Sequence, residues 1–270
     1  MVVADLHVHT RNSDGTLTLA EVPTAARAAD LETVAVTDHD RLHPGLDGPV
    51  TERDGVRLVH GIELRVDAGD QRVDMLGYGV RRTDSLATEI DRLQRDRVAR
   101  GRAIVERVED RLGVSLPLDV ERGLGRPDIA RAIVDSGADY DSIEGVFADL
   151  IGEDAPCYVA RDVPDFERGR ELLGDACAVV GLAHPLRYPD PGSALDLAAR
   201  LDAVEVAYPY GARDHTAARG LDAAAVERTA ERHDLLATGG SDAHDRTVGT
   251  TGLERAAADR FDAALGDGAN

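Results

Sequence analysis

Asp5-Leu6-His7-Val8-His9-Thr10-Arg11-Asn12-Ser13-Asp14-Gly15 decides how the rest of this chain is read. His7 and His9 are one residue apart, and on a strand residues i and i+2 point the same way. Both imidazoles therefore leave one face at a strand end, as a shared metal requires. Asp14-Gly15 follows in a turn-forming run and returns a carboxylate towards the same mouth. Two surface histidines would give the same short pattern, so the weight falls on what the other strand ends carry.

Val2 to Leu6 reads as a buried strand running into the pair. A helix is expected over 18–30, with Thr18 and Glu21 as a capping box and Pro23 disturbing its first turn. Thr33-Val34-Ala35-Val36-Thr37 is a β-branched strand ending in Asp38-His39-Asp40. Val56 to Ile62 ends in Glu63, and the strand Val73 to Val80 carries Asp74 early. Later strands run Cys177 to Ala183 into His184-Pro185, Ala203 to Ala207 into Tyr208-Pro209, and Leu235 to Ser241 into Asp242-Ala243-His244. Strands that each end in a polar cluster predict a parallel α/β protein, whose chemistry gathers at the carboxyl ends of its strands. His7, His9, Asp14, His39, Glu63, His184, Asp242 and His244 would meet there. Mixed His and carboxylate donors suit Mn²⁺, Fe²⁺ or Zn²⁺ better than Ca²⁺ or Mg²⁺. That many donors exceed one ion and fit two or three.

The texture changes in between. Apolar residues recur at 86, 90 and 93 and again at 104, 108 and 112, which is helical spacing, and shorter helices are expected near 128–137 and 141–151. The reading is a barrel domain of 1–81 and 159–270 carrying an inserted helical subdomain at 82–158. Ordinary crossover helices are the plainer alternative.

Composition narrows the function classes. Among 270 residues, 51 Asp and Glu face 31 basic residues, for a net charge of −20, and every basic residue is Arg. A general electrostatic grip on duplex DNA is excluded, although local Arg clusters can still hold a phosphate. Adaptation to high salt explains a dense carboxylate surface, and codon bias against Lys is the alternative. With 3% aromatic residues and no Trp, Val, Leu, Ile and Ala must fill the core. Cys157 and Cys177 form no disulfide framework or Cys-rich metal site. No leader and no membrane-length apolar run is apparent, so a cytoplasmic protein without a membrane partner is expected.

The sequence resembles the PHP (polymerase and histidinol phosphatase) family. The four motifs are Asp5-Leu6-His7-Val8-His9-Thr10 with Ser13-Asp14-Gly15, Thr37-Asp38-His39-Asp40, Ala183-His184-Pro185, and Gly240-Ser241-Asp242-Ala243-His244. Gly61-Ile62-Glu63, Leu76-Gly77-Tyr78, Gly125-Arg126-Pro127 and Ile129-Ala130-Arg131 look like its TrpH-type branch. That branch carries a helical insertion and includes nucleoside 3′,5′-bisphosphate phosphatases and 5′-to-3′ exoribonucleases. The resemblance implies a distorted (β/α)7 barrel with two or three divalent metal ions (Mn, Fe or Zn) at its mouth. The substrate would be a small nucleotide or an RNA 5′ end. Carried over, His7, His9, Glu63 and Asp242 would hold one metal, Asp14, His39 and His244 a second, and His184, with Glu63 bridging, a third. Asp14, His39, Glu63, His184 and Asp242 would be the catalytic set. The branch usually has His where Asp74 and Asp128 stand. Asp74 either substitutes as a ligand or leaves the third position weak, and Asp128 either ligates or caps a helix after Pro127. Clustered divalent ions supply hydroxide at neutral pH and offset charge on phosphoryl oxygens, so no Ser or Cys nucleophile is needed. Arg126, Arg131 and Arg187 are candidate phosphate clamps. Competing readings are another phosphomonoesterase, such as a histidinol-phosphate phosphatase, and a non-catalytic metal-binding module.

Overall fold

β1 (Val2–Val8) sends Val3, Asp5 and His7 to one face and Ala4, Leu6 and Val8 to the other, and six of its seven residues are buried. The structure, a computed structural model, describes residues 1–121, 124–211 and 221–267. After β1 come α1 (Val22–Ala28), β2 (Thr33–Val36), β3 (Val50–Arg53), β4 (Val56–Asp67) and β5 (Arg72–Tyr78). Then follow α2 (Asp84–Leu112), α3 (Arg126–Asp135), α4 (Ile143–Val146) and α5 (Phe166–Ala176). The chain continues with β6 (Val179–Leu182), α6 (Pro191–Ala198), β7 (Ala203–Ala207), α7 (Ala223–His233), β8 (Leu236–Gly239), β9 (Leu253–Glu254) and α8 (Arg255–Asp267).

The strands form one sheet in the order β8-β7-β6-β5-β4-β2-β1-β9, with β3 paired to β4. Beyond β8, a parallel bridge joins Ala243 to Val8, and the His9 amide donates to the Ala243 carbonyl at 2.9 Å. The two flanks of the sheet thus meet at the histidine end, giving a mixed α/β fold with a nearly closed, barrel-like sheet.

The sequence led us to expect parallel strands, but not every strand is parallel. β5 runs antiparallel to both β4 and β6. A short turn closed by the Ala68 amide on the Gln71 carbonyl joins β4 to β5, and a hairpin of that length leaves no room for a helical crossover. For the same reason β4 does not stop at Glu63 but continues to Asp67, paired through Arg65 with Asp74 and Asp67 with Arg72. The first helix begins at Val22, not at 18. Thr18 and Glu21 form the turn before it, where both the Thr18 amide and hydroxyl donate to Glu21 Oε2. The segment expected as a helix over 141–151 is one α turn, Ile143–Val146, followed by a π-helical turn, Phe147–Ile151.

Alternation along the strands builds two layers inside the barrel. Val3, Ala35, Val59, Leu76, Tyr78, Val179 and Ala203 form one buried apolar cluster with Phe261 and Leu265 of α8. Counting two residues on from its members gives His7 beyond Asp5 on β1, Glu63 beyond Gly61 on β4, and Glu205 on β7. The apolar floor therefore sits directly beneath a polar mouth. Outside the sheet, Val8, Val34, Val36 and Leu58 pack with Val22 and Ala26 of α1. Each of these Val and Leu side chains contributes about 1.5–3 kcal/mol through burial.

The chain divides into two compact units, Met1–Ala87 with Pro164–Asn270, and Thr88–Val163. The second has its own core of Ile104, Val108, Ile129, Ile133, Val146 and Leu150. Among the described residues no helix is long and apolar enough to cross a membrane.

Candidate metal centre

Glu63 is the hub of the mouth, with its side chain fully buried. Its Oε2 lies 3.3 Å from His7 Nε2, 3.3 Å from His9 Nε2 and 2.8 Å from His39 Nδ1. Its Oε1 lies 2.9 Å from His184 Nε2. Asp242 Oδ1 stands 3.1 Å from His9 Nε2 and 3.5 Å from His7 Nε2. On the more exposed side, Asp14 reaches His244 Nε2 at 3.5 Å and His39 Nε2 at 3.7 Å.

These distances are short, yet few are hydrogen bonds. His7 Nε2, both ring nitrogens of His9, Glu63 Oε2 and His184 Nδ1 are buried with no hydrogen-bond partner among the described residues. Buried polar atoms left unsatisfied are costly unless something else satisfies them. Lone pairs that crowd together without donating to one another suit a cation between them. Donor atoms lie within 4.8 Å of one another in four groupings: His9, Asp14, His39 and His244; His7, His9 and Glu63; His7, His184 and Asp242; and Glu63, Asp74 and His184. By this test the residues fit divalent metal ions.

The backbone is bent to bring them there. His184 and Asp242, each just past a strand end, have φ of 28° and 51°, in the left-handed region that costs a non-glycine residue about 1–2 kcal/mol. Gly240 lets the loop after β8 close on β1, since a Cβ there would lie 2.4 Å from His7 Cβ. Asp5, buried beside it, accepts from the Ser241 amide and hydroxyl and from the Gly249 amide. Asp38 does the same for the first loop, taking the Thr10 amide at 2.7 Å and the Ser13 hydroxyl at 2.8 Å.

Electrostatics match the donor set. Burial works against the Glu63 carboxylate, but the charges of His39 and His7 hold it well below its ordinary range. Asp14 and Asp242 are likewise held low against burial, by His244 and His9 respectively. Burial pushes His9 down to about 4. His39 is raised to about 9 because Glu63 and Asp14 outweigh its burial, and His7 is raised by Glu205 and Glu63. The carboxylates and His9 are thus already in the form that binds metal, while His7 and His39 would release protons as ions enter.

No family model matches the chain. It is 31% identical over 254 residues to the 3′,5′-nucleoside bisphosphate phosphatase of Chromobacterium violaceum, covering 90% of this chain and 88% of that protein. The chain belongs to that phosphatase's family. A 5′-3′ exoribonuclease of Haemophilus influenzae is 25% identical over 193 residues, 68% of this chain and 69% of its own. A solved structure from Bifidobacterium adolescentis, described as a metal-dependent phosphoesterase, superposes with a TM-score of 0.75 at 25% identity, over 97% of this chain and 96% of its own. With these family relations the chain is a hydrolase.

Two functional neighbours escaped the sequence reading. Glu205 is fully buried; one oxygen faces His7 Nδ1 at 3.0 Å, and the other accepts the His184 amide at 2.8 Å. A lone acid within Ala203-Val204-Glu205-Val206-Ala207 was the available signal. Arg65 grips Asp74 through two hydrogen bonds, and the signal was its register opposite Asp74. Of the expected clamps, Arg187 is half-exposed and shares Nη1 between Asp242 Oδ2 at 3.0 Å and the Tyr208 hydroxyl at 2.8 Å. Arg126 and Arg131 belong to the unit Thr88–Val163. There Arg126 lies over the Phe147 ring, 5.4 Å from its centroid, and Arg131 pairs with Asp128. Asp128 accepts the Gly125 amide at 2.8 Å and so caps α3.

Proposed function

We propose that this chain is a TrpH-like phosphoesterase of the PHP type, hydrolysing phosphate esters of nucleoside 3′,5′-bisphosphates or of 5′-phosphorylated RNA ends. The observation that carries this reading is the convergence on Glu63 of four imidazoles, with His7 Nε2, His9 Nε2 and Glu63 Oε2 buried and without a hydrogen-bond partner among the described residues. The family relation to a bisphosphate phosphatase supports the first substrate, and the likeness to an exoribonuclease the second. The sheet is read as the distorted (β/α)7 barrel, with β1, β2 and β4 to β8 as its staves, and the helical unit as its insertion.

His7, His9, Glu63 and Asp242 would hold one divalent ion, and Asp14, His39 and His244 another, of the Mn, Fe or Zn class. Bound ions of this kind supply a hydroxide nucleophile and offset charge on phosphoryl oxygens. The chain's own residues do the rest. Glu205 fixes the His7 ring and the His184 backbone. Arg187, anchored by Asp242 and Tyr208 but half-exposed, presents a guanidinium to incoming phosphate. Two unpaired thiols, Cys157 and Cys177, support a reducing, cytoplasmic setting.

The test is phosphate release by Mn²⁺-loaded protein in high salt, from an adenosine 3′,5′-bisphosphate, a simple monophosphate ester and a 5′-phosphorylated oligoribonucleotide. Release from the bisphosphate or the RNA, abolished by a chelator, is expected. Loaded protein inert towards both would sink the reading.

A further inference from the structure

Of the four donor groupings at the mouth, the two that share His7 count as one position for an ion and the one around Asp14 as another, while the fourth already faces a cationic side chain. Glu63, Asp74 and His184 qualify by distance. Arg65, two residues beyond Glu63 on β4, shares its face, and the β4–β5 register sets it opposite Asp74. Its Nε donates to Asp74 Oδ1 at 2.7 Å and its Nη2 to Asp74 Oδ2 at 2.5 Å. Both oxygens of the carboxylate are therefore held by one planar fork, the strongest geometry available to such a pair.

The rest of that corner is committed too. His184 Nε2 is bonded to Glu63 Oε1 at 2.9 Å and stands 3.8 Å from Asp74 Oδ2. His184 has another place to serve, in the grouping with His7 and Asp242. The Asp74 backbone is pinned, its amide donating to the Tyr188 hydroxyl at 2.8 Å and its carbonyl accepting the Ala183 amide at 3.0 Å, and its carboxylate is held by the fork. A dication placed against Asp74 would also face the guanidinium charge a few ångströms away, with little water between. The Asp74 side chain is 1% exposed and the Arg65 side chain 37%, so the arginine closes the corner from the solvent side.

We propose that the Arg65 guanidinium takes the cation position at the Glu63–Asp74–His184 corner, so that the centre loads two divalent ions, and that its Nη1, which has no hydrogen-bond partner among the described residues, receives a phosphate oxygen of the substrate. The substrate half of this rests on the phosphoesterase reading; the ion count does not. Arg65 is then both a fixed charge and a specificity-determining group, placed where a carboxylate-bound ion would otherwise sit.

The experiment counts metal in protein loaded with Mn²⁺ and gel-filtered, and measures inorganic phosphate binding by calorimetry. Neither needs turnover, so an inert enzyme would sink the functional reading and leave these results standing. Wild type should hold two equivalents, Asp74→Asn should still hold two, and folded Arg65→Met should gain a third. Arg65→Lys, which keeps the charge but loses the fork, should bind phosphate about tenfold more weakly with its ion count unchanged. Three equivalents in wild type, or the loss of one in Asp74→Asn, would overturn the proposal even if Arg65→Met fails to fold. A folded Arg65→Met that stays at two would do the same. Unchanged phosphate affinity in Arg65→Lys would remove the substrate half.

Discussion

His7 Nδ1 stands 3.0 Å from Glu205 Oε1, and both side chains are fully buried. A carboxylate only accepts, so the imidazole keeps its proton on Nδ1, and Nε2, facing Glu63 and Asp242, is the nitrogen that would give up its proton as a metal ion binds. Glu205 also holds the His184 amide, so one acid aims a ring and a loop at once. Glu205→Gln should weaken metal binding by about 10–100-fold while leaving the fold intact, as such outer partners usually do. Competition against a chelator measures this, and undiminished affinity would make Glu205 a mere space-filler.

Removing a donor from the mouth should separate metal binding from folding. His7→Ala and Asp242→Asn take groups from the polar layer and leave the apolar floor of Val59, Leu76 and Phe261 untouched. Bound metal and turnover should both fall to near zero with circular dichroism unchanged. Full metal content and turnover in both variants would end the assignment.

Much of this site was legible because strand alternation is a strict rule. His7-x-His9 and the acids and histidines near the later strand ends needed only period two and the order of strands. What was not legible came from pairing partners far along the chain. The reversal of β5 follows from a short turn after Asp67, and it places Asp74, early in its strand, at the same end as Glu63. Glu63 looked like a strand terminus because a buried acid interrupts an apolar run, whereas β4 continues past it. Glu205 and Arg65 were hidden for the same reason, since each gains meaning only from a neighbour on another strand.

Acid sensitivity should trace in part to His60, which is buried on β4 with Nε2 unpartnered among the described residues. Burial, helped by Arg82, pushes it down to about 4. Its folded value lies below the unfolded ~6.5, so the unfolded chain takes up the proton first. The stability it permits is complete above ~6.5 and falls as pH drops towards about 4. Between pH ~7 and ~5 wild type should lose about 2 kcal/mol more than His60→Gln in urea unfolding. Equal losses would assign the acid sensitivity elsewhere.

The surface should respond to salt. A net charge of −20 opposes compactness when exposed carboxylates repel over about 10 Å at ~0.1 M, and the range shrinks to about 3 Å at ~1 M. The melting temperature should therefore rise from dilute buffer to molar KCl. A flat or falling curve would favour codon bias as the source of the acidity.

Substrate choice is the last expectation, and it turns on arginines. A 3′,5′-bisphosphate carries one phosphate to be cleaved and a second that needs its own cation. Arg187 is placed beside the centre by Asp242 and Tyr208, and the Asp242 carboxylate favours its charged form against burial. Arg126 belongs to the other unit, where Phe147 and Tyr158 lie against its guanidinium. Our hypothesis is that Arg187 holds the phosphate that is not cleaved. Arg187→Ala should then raise KM for the bisphosphate by about tenfold or more, and KM for a simple monophosphate ester far less. Because Arg187 touches Asp242, metal content must be measured alongside, and it should not change. If both substrates lost efficiency equally at constant metal content, Arg187 would serve the site in general, and selection by a second phosphate would have to be abandoned.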